Sequence, residues 1–436
     1  MMKSQPCNAA VQPHDPSPLE DFATTRVPES RTLNGWRVGM VNGGLAFTVP
    51  GLITGLELGR ALGFYQALWA FVLGGLLLSL LGAVMGVVGR DNRLTACMIN
   101  RSVFGRYGSV LLNLAFAAAL LGWYGVNMNL FSYVAGEWSL ALFGSSPNPW
   151  VFELLGGVVF TLTALYGFRL IERLSTAFVP VLILVTLAMA WLSLGQGGSA
   201  LPAPSGEMGL AEAISIVVGS FIVSVVLMPD FSRFARDRSD AVVASFWPFL
   251  GLCTLVYVIA AYAGARTGSD DVLQVMLLLG MGKLAFIALV LSSWLSTAVN
   301  LYSSALGLNA VFTGQKMWRI AALAGVLGTL AAWLNLLDSF TDFLFGLSVL
   351  FTPVAAIVVV DFWGRRGGQA YDQAALPKRW NGPALLAWAA GVAMAVAVNQ
   401  GWARLSGQEV LDALAVTVLC YWVLAKVWPA QPGTDS

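Results

Sequence analysis

Long apolar stretches separated by short polar segments fill the chain from residue 36 onward. A helix that spans a bilayer needs about 20 mostly apolar residues, and twelve stretches meet this condition. Their approximate limits are 36–58, 66–88, 108–134, 150–167, 175–195, 212–231, 241–263, 275–305, 318–335, 342–361, 383–399 and 408–427. The pattern predicts an all-α polytopic membrane protein with twelve transmembrane helices, numbered here as spans one to twelve.

The composition agrees with a membrane protein. Of the 436 residues, 57% are hydrophobic and 11% are charged, whereas about a quarter of the residues of a soluble domain are charged. The net charge of +1 provides no basic excess for nucleic acid. With His14 as the single histidine and no CxxC pair, the chain lacks the side chains for Ser/His/Asp catalysis or a zinc site. We therefore expect that the protein is not an enzyme, has no resident cofactor and does not bind nucleic acid.

Basic residues are distributed asymmetrically between the predicted loops. All but four of the 24 Lys and Arg residues lie at the termini or on one side of the twelve spans. The exceptions are Arg60, Arg266, Lys283 and Arg404. Because cytoplasmic loops carry the excess of Lys and Arg, both termini are predicted to be cytoplasmic in a multi-pass protein of the cytoplasmic (inner) membrane.

The two ends of the chain are polar. Residues 1–30 contain Pro, Asp and Glu and lack a continuous apolar core. They are predicted to form a flexible cytoplasmic leader rather than a secretory signal. Residues 429–436 are predicted to form a cytoplasmic tail.

Two spans contain helix breakers near their centres. Span one contains Gly43-Gly44 and Pro50-Gly51, and span six contains Gly219-Ser220 and then Pro229. Non-helical backbone at membrane depth persists only where it is buried in protein or lines a wet cavity. Interrupted helices at matching positions point to an inverted-repeat transporter with a site at the midplane. Kinked packing helices are the alternative interpretation.

Several short motifs occur in a characteristic order along these helices. They lie at 89–95, 101–109, 122–125, 218–222, 230–234, 301–307 and 360–362, the last followed by two arginines. With these motifs the chain resembles the nucleobase–cation symporter-1 family, specifically its bacterial cytosine permease branch, from about Val27 to the last helix.

The resemblance implies a five-plus-five inverted repeat of the leucine-transporter type. Repeat one would cover about 36–195 and repeat two about 212–361. Extra helices at about 383–427 would complete a single transporter domain over 31–428, expected to be a monomer. The implied function is a symporter that imports cytosine, another pyrimidine or a purine together with Na⁺ or H⁺. The alternative is the same scaffold carrying a thiamine-precursor pyrimidine, a hydantoin-like compound or an amino acid. A membrane enzyme or a channel is disfavoured, because neither paired catalytic groups nor a filter loop is visible.

A planar heterocycle needs an aromatic face and a few hydrogen-bond partners around its edge. The resemblance implies that Trp123 of span three stacks on the substrate and that Phe221 of span six covers its other face. Asn127 lies four residues after Trp123, hence on the same helical face. Ser220 precedes Phe221 and offers a hydroxyl and backbone amides.

Span eight carries a polar cluster that contains two further candidates for substrate binding, Thr297 and Asn300. Thr297 stands where the family has an asparagine, and Asn300 lies close enough to compensate. Leu120 stands where a family member carries a glutamine. Both departures suggest a substrate with fewer or different polar groups than cytosine.

The resemblance also implies a sodium site, because Na⁺ prefers oxygen ligands. The matched carbonyls are those of Thr48 and Gly51, expected to be free at the break in span one. Ser296 matches one hydroxyl ligand, and Ser292 or Thr297 could substitute for the second, where this chain has Leu295.

Proton coupling is the rival and would need a titratable group in the membrane. The candidates are Glu57 and Asp230. Each also has a structural explanation, since Glu57 could pair with Arg60, and Asp230 with Arg233 or Arg236.

Overall fold

The computed structural model describes residues 26–166, 168–196, 203–312, 314–372 and 379–428. Its α-helices are α1 (Gly35–Ala46), α2 (Val49–Leu62), α3 (Phe64–Asn92), α4 (Ala96–Phe143), α5 (Pro149–Leu165), α6 (Phe168–Gly195), α7 (Leu210–Val226), α8 (Met228–Ser232), α9 (Arg238–Phe246), α10 (Thr254–Thr267), α11 (Val272–Leu278), α12 (Lys283–Val311), α13 (Met317–Ala332), α14 (Phe340–Val359), α15 (Gly382–Asn399) and α16 (Glu409–Val427). Two π-helical segments, Trp247–Cys253 and Val360–Arg365, continue α9 into α10 and extend α14.

The predicted class, an all-α polytopic membrane protein, is confirmed. Within the described residues, eight helices are long and apolar enough to cross a membrane, and the bent pair α1–α2 provides a ninth span. Three shorter apolar helices, α5, α7 and α13, lie where spans four, six and nine are predicted. Large apolar side chains such as Leu184 and Trp191 are 66% and 77% exposed, as expected for surfaces that face lipid. The number twelve stays a prediction.

The end of the predicted leader packs against the helices. Val27 is 1% exposed, and its amide donates to the carbonyl of Arg93 at 3.2 Å. The amide of Leu33 likewise donates to the carbonyl of Phe234 at 2.6 Å. Residues 27–33 therefore contact the helical bundle. Residues 1–25 and the predicted tail 429–436 lie outside the described residues.

The break predicted in span one is confirmed. Helix α1 ends at Ala46, α2 begins at Val49, and their axes differ by 62°. The buried Ser292 hydroxyl on α12 accepts a hydrogen bond from the Val49 amide at 2.7 Å. The Thr48 hydroxyl donates to the Leu45 carbonyl at 2.6 Å. Span one is thus bent at a point where polar groups of α12 complete its hydrogen bonds.

The break predicted at Gly219-Ser220 in span six is wrong. Helix α7 runs without interruption through Gly219 and Phe221, and this span is interrupted only at Leu227, before α8. A side chain at Gly219 would collide with the backbone carbonyl of Leu344 on α14. The glycine therefore allows two helices to approach closely instead of loosening its own helix.

The motif at 360–362 forms a buried charged cluster at the end of α14. Asp361 is 3% exposed and accepts hydrogen bonds from Arg365 at 3.0 Å and Arg366 at 3.3 Å. Its carboxylate also accepts from the hydroxyls of Tyr371 at 3.1 Å and Tyr421 at 2.8 Å. Since Tyr421 belongs to α16, this cluster attaches the last helix to the rest of the bundle.

Candidate functional site

A small cavity lies where the break of span one meets α4, α7, α10 and α12. Its volume is about 60 Å³. Its walls are formed by Leu45, Thr48, Pro50, Gly51, Thr54, Leu120, Trp123, Ser220, Phe221, Val223, Ser224, Tyr257, Ser296 and Asn300. One region thus combines aromatic rings, hydroxyl groups and an amide, the composition typical of a small-molecule site.

The two predicted stacking residues both line this cavity. The indole of Trp123 makes edge contacts with Phe343 and Phe340, with ring centroids 5.4 and 6.0 Å apart. Phe221 packs against Phe249 at a centroid distance of 5.8 Å. Because neighbouring rings restrain both side chains, the cavity has preformed aromatic walls.

Ser220 lies on the face of α7 that reaches the cavity, one residue before Phe221. Its hydroxyl donates to the Val217 carbonyl at 2.6 Å and lies 2.7 Å from the Tyr257 hydroxyl of α10. The amides of this unbroken helix are engaged within α7, so the expectation that freed amides would contact a ligand here is wrong. The side chain alone faces the site.

Two residues of α12 reach the cavity one helical turn apart, Ser296 and Asn300. They line the same cavity as Thr48 and Gly51 from the break in span one. The structure therefore brings together polar groups that are separated by about 250 positions in the chain.

Two predicted substrate contacts do not line the cavity. The Asn127 amide nitrogen donates to the carbonyl of Trp123 at 2.7 Å, in its own helix, and its side chain is fully buried. Thr297 is also fully buried, because a residue next to Ser296 points about 100° away around α12. Neither Oδ1 of Asn127 nor Oγ1 of Thr297 has a hydrogen-bond partner among the described residues. Their direct contact with the substrate stays a prediction.

The predicted cation ligands occupy different environments. Ser292 uses a lone pair to accept from the Val49 amide. Thr48 and Ser296 line the cavity, although the Thr48 carbonyl already accepts from the Gly51 amide at 3.0 Å. Gly51 itself is the third residue of α2, where carbonyls take part in the helix's own hydrogen bonds. The expectation of a carbonyl set free at Gly51 is therefore wrong.

The two acidic candidates lie outside the cavity wall. Arg60, the expected partner of Glu57, forms its ion pairs with Glu207 and Asp270, each at 3.1 Å. Glu57 itself is half-buried on α2.

The carboxylate of Asp230 accepts the amide of Ala96 at 2.8 Å, at the first residue of α4. Arg233 donates to the backbone carbonyl of Asp230 at 3.0 Å. Negative charge stabilises a helix N-terminus, so Asp230 supports α4 through this amide. The expected proximity of Asp230 and Arg233 is also present.

Several cavity residues were not predicted, among them Tyr257, Thr54 and Ser224. Ser224 lies four residues after Ser220 and could have been found from helical periodicity. Tyr257 belongs to span seven, which carries none of the motifs, so only the contact of its hydroxyl with Ser220 on α7 reveals it. In the described chain, no group of three or more His, Cys, Asp or Glu residues could hold a metal ion.

Comparison with known proteins identifies the family of this chain. Residues 27–424 match the family described as permease for cytosine/purines, uracil, thiamine, allantoin. The cytosine permease of Escherichia coli (strain K12) is 29% identical over 412 residues, which cover 93% of this chain and 94% of the relative. The purine-uracil permease NCS1 of Arabidopsis thaliana is 25% identical over 80% of this chain and 64% of the relative.

The solved structures show the same fold. Mhp1 in an inward-facing conformation superimposes with a TM-score of 0.81 at 18% identity, covering 93% of this chain and 94% of Mhp1. Mhp1 in a closed conformation with bromovinylhydantoin bound gives a TM-score of 0.79 at 20% identity, covering 94% and 96%. A Na⁺-coupled sialic acid symporter gives 0.63 at 11% identity, covering 92% of both chains. The predicted leucine-transporter type of fold is confirmed.

Proposed function

The chain belongs to the family of permeases for cytosine and purines, uracil, thiamine and allantoin, and on this premise we propose that it imports a planar nitrogen heterocycle together with a cation. It is a membrane transporter and not an enzyme. The proposed substrate is cytosine, another pyrimidine or a purine, carried by alternating access.

The cavity between Trp123 and Phe221 carries this proposal. Stacking between a flat ring and an aromatic side chain contributes about 0.5–1.5 kcal/mol beyond buried area. Ser220, Tyr257 and Asn300 line the same cavity and are the proposed hydrogen-bond partners for the edge of the ring.

The same cavity also supports the alternative of a substituted or hydantoin-like ring. Leu120, Leu45 and Val223 form an apolar part of its wall, which suits an apolar substituent. Mhp1, whose fold this chain shares, has been solved with bromovinylhydantoin bound.

The proposed position of the coupling cation is the break in span one. Thr48 and Ser296 supply hydroxyl oxygens to the cavity wall there, and Ser292 lies against the first residue of α2. Neutral oxygens suit Na⁺. The proposed orientation, with both termini in the cytoplasm, agrees with the contacts that join residues 26–34 to the Arg-rich loops.

The experiment is a thermal-shift and binding screen of purified protein with pyrimidines, purines and hydantoins, since a ligand stabilises the state that it binds. Trp123→Ala is expected to lower affinity at least tenfold for whichever ring binds. Trp138→Ala is the control, because Trp138 lies on the same helix, packs against Phe286 and does not line the cavity. Trp123→Phe keeps a smaller aromatic face and should retain part of the affinity.

Unchanged affinity in folded Trp123→Ala protein would show that the cavity is not the substrate-binding site. The cation is tested separately in proteoliposomes with either a Na⁺ or a pH gradient. Uptake driven by Na⁺ and weakened in Ser296→Ala supports the position at the break. Uptake that ignores Na⁺ and follows the pH gradient favours H⁺, with Glu57 as the first residue to replace.

A further inference from the structure

Tyr257 lines the cavity together with Ser220. Its side chain is 1% exposed, and its ring packs against Phe71 at a centroid distance of 5.4 Å. It lies on α10, four residues after the end of the π-helical segment Trp247–Cys253, and such segments are frequent at functional sites. The hydroxyl lies 2.7 Å from Oγ of Ser220.

The direction of the hydrogen bonds in this pair can be derived. Ser220 Oγ lies 2.6 Å from the Val217 carbonyl, and a carbonyl has no hydrogen to donate. The single hydroxyl hydrogen of Ser220 must therefore lie in that bond. Since Ser220 has no second hydrogen, the one between Ser220 and Tyr257 comes from Tyr257.

The same argument, that a hydroxyl group has a single hydrogen to donate, applies to two other residues of the cavity wall. Thr48 donates its hydrogen to the Leu45 carbonyl at 2.6 Å, and Thr54 donates to the Pro50 carbonyl at 2.9 Å. Four of the hydroxyl groups that line the cavity, on Thr48, Thr54, Ser220 and Tyr257, thus have their hydrogens bound to protein acceptors. What they offer to a ligand is oxygen lone pairs.

We propose that Tyr257 is a specificity-determining residue whose phenolic oxygen accepts a hydrogen bond from an amino or ring N–H group of the substrate. This inference rests on the proposed function and narrows its substrate class. A ring that presents N–H donors towards α7 and α10 is bound, whereas a carbonyl oxygen at the same place would meet only lone pairs. Such a mismatch leaves buried polar groups unpaired and gives strong discrimination.

The first test compares Tyr257→Phe with the wild type, using three probes. These are cytosine, pyrimidin-2-one, which lacks the amino group, and 1-methylcytosine, which lacks the ring N1–H. Loss of one hydrogen bond is expected to weaken cytosine binding about tenfold, equivalent to about 1.4 kcal/mol. For the analogue that lacks the donor read by Tyr257, the substitution should change affinity less than twofold.

The matched control is Tyr124→Phe. Tyr124 is fully buried, its hydroxyl lies 3.2 Å from Oγ1 of Thr329, and it does not line the cavity. It should bind all three probes like the wild type. An equal loss for all three probes in Tyr257→Phe would show that the hydroxyl shapes the cavity without reading a donor, which overturns the proposal.

A second variant is expected to weaken the preference for substrate N–H donors over carbonyl oxygens. Ser220→Ala removes the acceptor that holds the hydrogen of Tyr257, so the hydroxyl becomes free to donate to a substrate carbonyl. If the first test identifies the amino group as the donor, the ratio of cytosine affinity to uracil affinity should fall about tenfold relative to the wild type, because uracil has a carbonyl in place of that amino group. An unchanged ratio contradicts the assigned direction of the hydrogen bonds. A wild-type protein that binds none of the rings would instead refute the proposed function, and the inference with it.

Discussion

Spans one and six both border the cavity, but they reach it in different ways. Span one presents a bend between Ala46 and Val49, with the hydroxyl of Ser292 completing its hydrogen bonds. Span six presents the side of a regular helix, on which Ser220 and Phe221 lie. Its own interruption, at Leu227, comes after the segment that lines the site.

The difference shows that similar sequence signals have two physical outcomes. Gly51 lies beside the Ala46 carbonyl, where an added Cβ would come within 2.6 Å of the oxygen, so it accommodates the bend itself. Gly219 faces the Leu344 carbonyl of another helix. A glycine in a membrane helix therefore indicates close backbone approach, and its surroundings decide whether the helix bends.

The largest expected effect is that of Gly219→Ala on folding. The added methyl group meets a backbone carbonyl of α14 that cannot move without displacing its helix, so destabilisation of about 1–3 kcal/mol or more is expected. It would be measured as a lower Tm in detergent or nanodiscs. Gly346→Ala on α14 is the control, because nothing lies within 4 Å of its added Cβ. If Gly219→Ala keeps the wild-type Tm but no longer binds substrate, Gly219 is needed for an opening of span six and not for helix packing.

A smaller effect is expected from Ser292→Ala, which tests the bend in span one. Removing the hydroxyl leaves the Val49 amide without its acceptor, at a cost of about 1–3 kcal/mol. Ser293→Ala is the matched control, since Ser293 is equally buried and its oxygen has no partner among the described residues. Tm should fall for Ser292→Ala and stay nearly constant for Ser293→Ala. Equal Tm values would show that α12 does not hold the bend.

The smallest expected effect concerns the prolines at the break in span one and at the interruption of span six, which should differ in their influence on ligand affinity. Pro50→Ala and Pro229→Ala should each cost about 0.4–1 kcal/mol of stability, because alanine gives the unfolded chain more freedom. Only Pro50 lines the cavity, so Pro50→Ala alone should weaken substrate binding, by severalfold. Isothermal titration of both variants checks this, and a comparable loss in Pro229→Ala would link the interruption at Leu227 to the site.

Much of the candidate site could be predicted from local sequence. Trp123 and Phe221 come from motifs on spans three and six, and both line the cavity. Asn127 shows where such reasoning ends, because helical spacing gives its face but not its hydrogen bond, which returns to the carbonyl of Trp123. Tyr257 has no sequence signal, and only its contact with Ser220 identifies it.

The sequence by itself determined the membrane class, the positions of the apolar helices and the bend in span one. Each of these depends on properties of neighbouring residues, such as apolar length and the missing amide hydrogen of Pro50. The tertiary structure decided why Gly219 is a glycine and which hydroxyls face the cavity with lone pairs. Those properties depend on groups far apart in the chain, such as Val49 and Ser292 or Ser220 and Tyr257, which only helix packing brings within hydrogen-bond distance.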